Sequence, residues 1–255
     1  MGTLHRLFLD QPLTAAGARL SLSADQAHYL LTVLRLQEGA ELAVLNGQDG
    51  EWRAVLRPQS KRAAVLELLS QTRLPQPEPD LWLLFAPIKR TRQDWVIEKA
   101  TELGVSALLP VWTDRTVASR VKDDRMVAIA TEAAEQCERL SLPILHPPQD
   151  LATVLSHWDP ARRLIVLDES GGGTPIATAL ATLPAGPLAV LVGPEGGFTK
   201  TELDGLRRLA FAVPVGLGPR ILRADTAAVA ALACVQAWCG DWGMSPRPSA
   251  VAVDL

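Results

Sequence analysis

The hydrophobic pattern of the first 72 residues is that of a small, mostly β domain. Short runs alternate between apolar and polar residues, and "NGQDG" between two of them is a hairpin signal. Ser23 is an N-cap candidate before a stretch with apolar residues at helical spacing. We predict strands over 5–9, 19–22, 41–45, 52–57 and 63–69, and a helix over 25–35.

The pattern changes after residue 80. Residues 73–80, "RLPQPEPD", carry three prolines in eight positions and no periodicity, which predicts a linker. Beyond it, short apolar runs alternate with longer helical segments. We predict strands over 81–86, 107–111, 164–167, 188–192 and 213–217, and helices over 92–103, 125–140, 201–210 and 226–238. This alternation predicts an α/β domain with a mainly parallel sheet covered by helices on both faces.

Two loops follow strands of this predicted sheet, "VGPEGG" and "LGPRILRADT". Ligands of parallel sheets bind beyond the carboxyl ends of the strands, so the two loops are expected to form both walls of one pocket. The helix after the second loop is expected to be capped by Asp225 or Thr226.

The composition indicates a globular protein without a membrane partner. The chain of 255 residues is 48% hydrophobic and 21% charged, which is typical of a globular protein. We expect a cytoplasmic protein without a membrane partner, because no apolar run is long enough to span a bilayer and the N-terminus lacks a signal-peptide pattern. The three cysteines form no CxxC pair, so we expect reduced thiols and no metal. The net charge of −3 argues against a nucleic-acid partner, although local clusters can override a global sum.

The first loop does not match the common phosphate-binding motifs. Aligning a Walker A lysine on Lys200 places Pro194 and Thr199 where the motif requires glycines. In the second loop, Gly216 and Gly218 begin a dinucleotide fingerprint, but Ile221 takes the place of its third glycine.

The first loop suits a flat, uncharged or cationic ligand better than a polyphosphate. Its glycines allow close approach to the backbone, and Glu195 places an acid where a phosphate loop would avoid one. S-adenosylmethionine, with an adenine edge and a positive sulfonium, fits this description. A glycine-rich turn without a ligand is the alternative.

Both loops resemble the signature motifs of one family. "LVGPEGGFTKTEL" and "LGPRILRADTAAVAAL" are similar to those of the RsmE family, ribosomal RNA uridine-N3 methyltransferases of the SPOUT superfamily. "HRLFL", "HYLLTVLRLQEGAEL", "IEKATELGV" and "AAEQCERLSLP" match in order, so the resemblance covers nearly the whole chain. Asp225 replaces the usual glutamate of the family, and Glu138 stands where the family often has a small residue.

The resemblance implies a fold and an activity. Residues 1–72 are expected to form a PUA-like β-barrel that binds RNA, 73–80 a linker, and 81–255 a SPOUT-type α/β domain with a C-terminal trefoil knot. The implied enzyme is a cytoplasmic homodimer that methylates N3 of a uridine in 16S ribosomal RNA with S-adenosylmethionine. Its partner is the ribosomal RNA of the small subunit or the assembled small ribosomal subunit.

The resemblance and the loop positions together give the candidate site residues. Arg223 is expected to stabilise charge on the uracil, and Glu195 to contact the cofactor or the base. The cofactor-binding candidates are Leu167, Val192, Gly193, Pro194, Glu195, Gly196, Gly197, Leu217, Gly218, Ile221, Leu222, Arg223 and Thr226. The RNA-binding candidates are Arg6, Arg35, Lys89, Arg92, Lys99, Gln136 and Arg139, with Arg90, Arg115 and Arg120 as further phosphate contacts.

Each of these assignments has a structural alternative. Arg223 could bond loop carbonyls, and Glu195 could bond the amides of its own loop. Lys99 could pair with Glu102 on an exposed helix face, and Gln136 and Arg139 could belong to a solvated face. For the whole protein, the alternatives are a SPOUT-type methyltransferase for another nucleoside or atom, and a non-catalytic RNA-binding module.

Overall fold

The computed structural model describes residues 4–60, 62–117 and 122–244. Arg120 lies outside these residues. The described chain divides into two compact units. The first contains 4–77 and Ala134–Ser141, and the second contains 78–133 and 142–244.

The first unit is built on a five-stranded sheet. Its strands are β1 Arg6–Phe8, β2 Arg19–Ser21, β3 Glu41–Leu45, β4 Glu51–Ser60 and β5 Ala63–Arg73, in the order β1-β3-β4-β5-β2. β1 pairs with β3 in parallel, and the other pairs are antiparallel. The predicted hairpin at "NGQDG" is confirmed, because β3 and β4 pair directly on either side of it.

The helix of the first unit is shorter than predicted. α1 spans Ala24–His28, and Ser23 caps it in a reciprocal capping box with Gln26, as its sequence position indicated. Beyond His28 the winding widens into a π-helical segment, Tyr29–Val33, and Arg35 adopts a φ of 56°. The prediction of α-helix to residue 35 is therefore wrong, because a left-handed residue cannot continue a right-handed helix.

The second unit is built on a parallel sheet, which confirms the predicted α/β class. Its strands are β6 Leu81–Phe85, β7 Ala107–Trp112, β8 Ile144–Leu145, β9 Gln149–Asp150, β10 Arg163–Leu167, β11 Thr174–Pro175, β12 Leu188–Val192 and β13 Ala212–Gly216. Their order is β11-β13-β10-β12-β6-β7-β8, and β9 also pairs with β7. Every pair is parallel.

The remaining helices are α2 Arg90–Glu102, α3 Asp123–Cys137, α4 Leu151–Ser156, α5 Ile176–Ala181, α6 Lys200–Leu206 and α7 Ala224–Cys239. Three predictions of helix ends are wrong. α6 ends at Leu206 and not at residue 210, because the N–H groups of Arg208 and Leu209 donate to carbonyls only three residues earlier. α3 stops before residue 140 because Glu138 has a φ of 62°, and α7 is capped at Arg223 and not at Asp225 or Thr226. In the described parts of the chain, no helix is long and apolar enough to cross a membrane.

Helices cover both faces of the parallel sheet, as predicted. Side chains alternate along each strand, so Leu83 and Leu84 of β6 belong to different hydrophobic cores. The core on one face includes residues of α2, α5 and α7, and the core on the other includes residues of α4 and α6. β10, β12 and β13 are neighbouring parallel strands in this sheet, so their carboxyl ends lie at the same edge.

Candidate active site

A cavity of about 560 Å³ lies at the carboxyl ends of β10, β12 and β13. The loop after each strand contributes to its lining: 168–171 after β10, 193–195 with Gly197 after β12, and 217–223 after β13. The two glycine-containing loops therefore line one cavity, as the sequence predicted. The loop after β10 is a third wall.

Gly197 fixes the conformation of the loop after β12. Its φ is 68°, and its N–H donates to the Pro194 carbonyl at 2.9 Å. A Cβ on Gly197 would collide with the Glu169 carboxylate, which accepts a hydrogen bond from the Phe198 N–H at 3.0 Å. Only glycine allows both the positive φ and the close approach of the Glu169 carboxylate, so the loop after β12 packs directly on the loop after β10.

Asp168 anchors the third wall. Its buried carboxylate accepts hydrogen bonds from the Ser170 N–H at 2.9 Å, the Ser170 hydroxyl at 2.6 Å and the Arg207 guanidinium at 2.6 Å. Burial by itself raises the pKa of Asp168, but the hydrogen bonds from Ser170 and Arg207 outweigh burial and hold that pKa below its ordinary value. The carboxylate is therefore ionised and structurally fixed.

Asp168, Glu169 and Ser170 also line the cavity and are not among the residues predicted from the sequence. The available signal was "LDESGGG", in which acids and glycines directly follow a buried strand at the same edge of the sheet.

Glu195 has a specific partner on α2. Arg92 donates a hydrogen bond from Nη1 to the Glu195 carboxylate, and its Nε lies 3.9 Å from a carboxylate oxygen of Asp225. Asp225 also accepts a hydrogen bond from the Thr226 N–H at 2.9 Å. Arg92 thus lies between an acid of the loop after β12 and an acid in the first turn of α7.

Arg223 lines the cavity from the position that caps α7. Its side chain is exposed and forms no ion pair or hydrogen bond with any residue that the structure describes. The alternative assignment, in which Arg223 bonds loop carbonyls, therefore has no support in this arrangement. Its guanidinium is available to a ligand.

Most of the predicted cofactor-binding residues line the cavity. These are Leu167, Val192, Gly193, Pro194, Glu195, Gly197, Leu217, Gly218, Ile221, Leu222 and Arg223. Gly196 lines a neighbouring cavity of about 550 Å³, and Thr226 lines neither.

The lining suits S-adenosylmethionine in size and chemistry. Its volume falls in the range of roughly 300–1,000 Å³ that is usual for cofactor sites, and its walls combine apolar side chains with carboxylates. The N–H groups of Gly218, Ile221 and Leu222 donate to no acceptor in the described protein, so they are free for an adenine edge. The carboxylates of Glu169 and Glu195 suit a cationic ligand.

The RNA-binding candidates of the second unit lie in different places. Lys89 lines the neighbouring cavity, and Arg92 lines the cavity between the loops. Lys99 lines neither, and it bonds Glu102 at 2.8 Å and Glu98 at 2.7 Å. These two bonds raise the pKa of Lys99, so its charge is engaged within α2.

The candidates of the first unit are also dispersed. Arg6 is mostly buried and pairs with Glu51 at 3.2 Å and Glu138 at 2.9 Å. Arg139 is buried, whereas Gln136 and Arg35 are exposed. Only Gln136 and Arg35 therefore present their side chains to solvent in this conformation.

Comparisons with known proteins show the family of the chain. A family model described as RNA methyltransferase domain matches residues 75–236, and one described as RNA methyltransferase PUA domain matches residues 22–69. A Rickettsia conorii protein named ribosomal RNA small subunit methyltransferase E is 31% identical over 235 residues, which cover 91% of this chain and 95% of that protein. A Synechocystis protein of the same name is 38% identical over 227 residues, covering 86% of this chain and 73% of that protein.

A solved structure is similar over nearly the same length. It is the ribosomal RNA small subunit methyltransferase E of Neisseria gonorrhoeae bound to S-adenosylmethionine. The TM-score is 0.84 at 27% identity, with 94% of this chain and 100% of that chain covered. The resemblance found in the sequence motifs is confirmed: the chain belongs to the RNA methyltransferase family whose curated members are named ribosomal RNA small subunit methyltransferase E.

Proposed function

We propose that this protein methylates N3 of a uridine in 16S ribosomal RNA, with S-adenosylmethionine as the methyl donor. The observation that carries the proposal is the cavity enclosed by the loops after β10, β12 and β13, because the family's motif residues line it. The related proteins named above act on small-subunit ribosomal RNA by name, and one of them binds S-adenosylmethionine.

The bound cofactor supplies an electrophilic methyl group. The chain's own contribution is to hold the cofactor and orient the base. Gly218, Ile221 and Leu222 offer backbone N–H groups to the adenine, and Leu167 and Val192 offer apolar walls. Gly197 keeps the loop after β12 in the shape that leaves this space open.

Two side chains are assigned to the reacting base. N3 of uridine is a weak acid, so its proton must leave and the resulting charge spreads over O2 and O4. Arg223 stabilises that charge, since its guanidinium lines the cavity and has no partner in the described protein. Glu195 contacts the base or receives its proton, and Arg92 holds the Glu195 carboxylate in place.

The substrate must present an unpaired uridine. N3 lies on the Watson–Crick edge, so the base has to be single-stranded or turned out of its helix before transfer. Lys89, Arg90, Arg115, Gln136 and Arg35 are the exposed candidates for contacts to the RNA. A ribosomal RNA substrate would place the enzyme in the cytoplasm.

The family membership also supports finer architectural proposals. We assign a PUA-like β-barrel to residues 1–72, a linker to 73–80, and a SPOUT-type domain with a C-terminal trefoil knot to 81–255. The proposed homodimer is supported by apolar side chains exposed at and after the end of α7, Trp238, Trp242 and Met244, which are 54%, 53% and 72% exposed.

The proposal is tested by incubating the protein with radiolabelled S-adenosylmethionine and small ribosomal subunits that lack the modification. We expect label in 16S ribosomal RNA. If neither the subunits nor free RNA became labelled although the protein still bound RNA, the protein would be an RNA-binding module and not an enzyme.

A further inference from the structure

A second cavity, of about 550 Å³, adjoins the proposed cofactor site. Its lining comes from the stretch between β6 and α2, from the first turns of α2, from the segment after β7, from the start of α3 and from the loop after β12. Pro194 and Glu195 line both cavities, so the glycine-rich loop is a shared wall. A ligand in the second cavity therefore lies next to Glu195, one of the two residues assigned to the reacting base.

The charge of the second cavity is positive in a protein whose net charge is −3. Five cationic side chains line it, against the two carboxylates of Asp94 and Glu195. The five are Lys89, Arg90, Arg115, Lys122 and Arg125. This local excess of cations gives the second cavity a positive electrostatic potential although the protein is acidic overall, and a positive potential favours an anionic ligand.

Two of these cations are used within the protein. Arg125 forms a two-pronged pair with Asp94, with Nε at 2.9 Å from Oδ1. Arg115 donates to the Gly196 carbonyl at 2.9 Å and to the Phe198 carbonyl at 3.4 Å, and so it supports the loop after β12. Both side chains stabilise the walls of the cavity.

The other three cations are available to a ligand. Lys89, Arg90 and Lys122 form no ion pair with any described residue. Lys89 and Arg90 stand at the start of α2, and Lys122 directly precedes α3. They come from different segments and line the same cavity.

The floor of the cavity is apolar. Ile88 and Met126 are 8% and 2% exposed, and Pro87 and Pro194 are also buried. Apolar surface beneath a cationic rim matches an unstacked nucleotide, whose base is flat and whose phosphates are anionic. A free inorganic anion would use the cations but not this floor.

Resting on the proposed function, we propose that this cavity binds the single-stranded RNA segment that carries the target uridine. Lys89, Arg90 and Lys122 contact its phosphates, and Ile88 and Met126 contact an unstacked base. The shared wall at Pro194 and Glu195 then brings the segment to the edge of the cofactor site.

The test compares two double variants of equal charge change. Arg90→Gln with Lys122→Gln removes two cations from the cavity. Lys200→Gln with Arg208→Gln removes one lysine and one arginine that are exposed in the same unit but line neither cavity. Binding of fluorescently labelled protein to unmodified small ribosomal subunits is measured between 50 and 200 mM KCl, together with the affinity for S-adenosylmethionine and the rate of methyl transfer.

For the cavity variant we expect subunit binding to be weaker on the order of tenfold at 0.1 M salt. The slope of log affinity against log salt concentration should become shallower by roughly 1.4, because each of the two lost phosphate contacts to single-stranded RNA contributes about 0.7. Its affinity for S-adenosylmethionine should equal that of the wild type, and the control variant should keep the wild-type slope. Equal losses in both double variants, or no loss in the cavity variant, would overturn the inference. A wild-type protein that binds subunits through these residues but transfers no methyl group would instead overturn the proposed function.

Discussion

Arg92 and Glu195 are 103 residues apart in the chain, yet the guanidinium of one holds the carboxylate of the other. Arg92 lies on α2, and Glu195 lies in the loop after β12 that separates the two cavities. The pair is partly exposed, with side chains 33% and 38% accessible, so it contributes little to folding. It holds Glu195 where that residue lines both the proposed cofactor cavity and the proposed RNA cavity.

The pair is expected to act as one unit in catalysis. Arg92→Gln and Glu195→Gln should each reduce kcat on the order of 10²-fold, since each leaves the other side chain without its partner. The double variant should be no slower than either single variant, because members of one unit are not additive. Single-turnover methyl transfer measures the rates, and unfolding in urea should change by no more than about 1 kcal/mol.

Arg208→Gln is the matched control, because Arg208 is exposed in the same unit and lines neither cavity. Strictly additive losses in the Arg92 and Glu195 variants would show that the two residues act separately.

Gly197 is expected to control cofactor binding. A Cβ at this position costs about 1–2 kcal/mol for a left-handed residue and in addition displaces the Glu169 carboxylate. Gly197→Ala should therefore weaken S-adenosylmethionine binding at least about tenfold in calorimetric titration.

Gly205→Ala serves for comparison. Gly205 lies within α6, and a Cβ there meets nothing within 4 Å, so this variant should bind the cofactor as the wild type does. Wild-type affinity in Gly197→Ala would show that the loop after β12 does not shape the cofactor site.

The sequence could predict those structural features that leave a pattern in a short stretch of residues. The parallel sheet followed from apolar runs alternating with helical segments, and the two loops from glycines after strands. The strands β8, β9 and β11 are two residues long, which is too short to show the alternation of apolar and polar residues that identifies a strand. Their existence depends on the neighbouring strands with which they pair.

Contacts between distant segments could not be predicted. Nothing near Arg92 in the sequence indicates Glu195 as its partner, and the same is true of Asp168 and Arg207. The burial of Arg6 between Glu51 and Glu138 is equally hidden in the sequence. Such pairings are set by tertiary packing, which a linear pattern does not record.

The lowered pKa of Asp168 makes a pH-dependent prediction. The folded carboxylate has a lower pKa than the unfolded one, so its stabilisation is fully present above the unfolded value of about 3.9 and is lost as pH falls through the folded value. Asp168→Asn should lower the free energy of unfolding at pH 7 by about 2 kcal/mol, because it weakens hydrogen bonds to a charged group.

Urea unfolding between pH 7 and pH 3 checks this prediction. The difference between wild type and Asp168→Asn should be constant from pH 7 to about pH 5 and should narrow below about pH 4. A difference that widens on acidification would contradict the assigned direction.

Glu138 offers a test of the backbone at the end of α3. Its φ of 62° is costly for a residue with a Cβ. Glu138→Gly should be more stable than Glu138→Ala by about 1 kcal/mol, since both lose the carboxylate that pairs with Arg6 and only glycine relieves the strain.

The sign of this difference is decisive. In a helix interior, alanine is more stable than glycine by about 1 kcal/mol. A more stable alanine variant would therefore mean that α3 continues through residue 138.

The central claim is the identity of the methylated atom. The most direct measurement is nucleoside analysis of 16S ribosomal RNA after reaction of unmodified small subunits with labelled S-adenosylmethionine, combined with reverse transcription of the same RNA. We predict label in N3-methyluridine alone and a transcription stop beside one uridine, because an N3 methyl blocks Watson–Crick pairing. Label in another nucleoside, or label without a stop, would contradict the account.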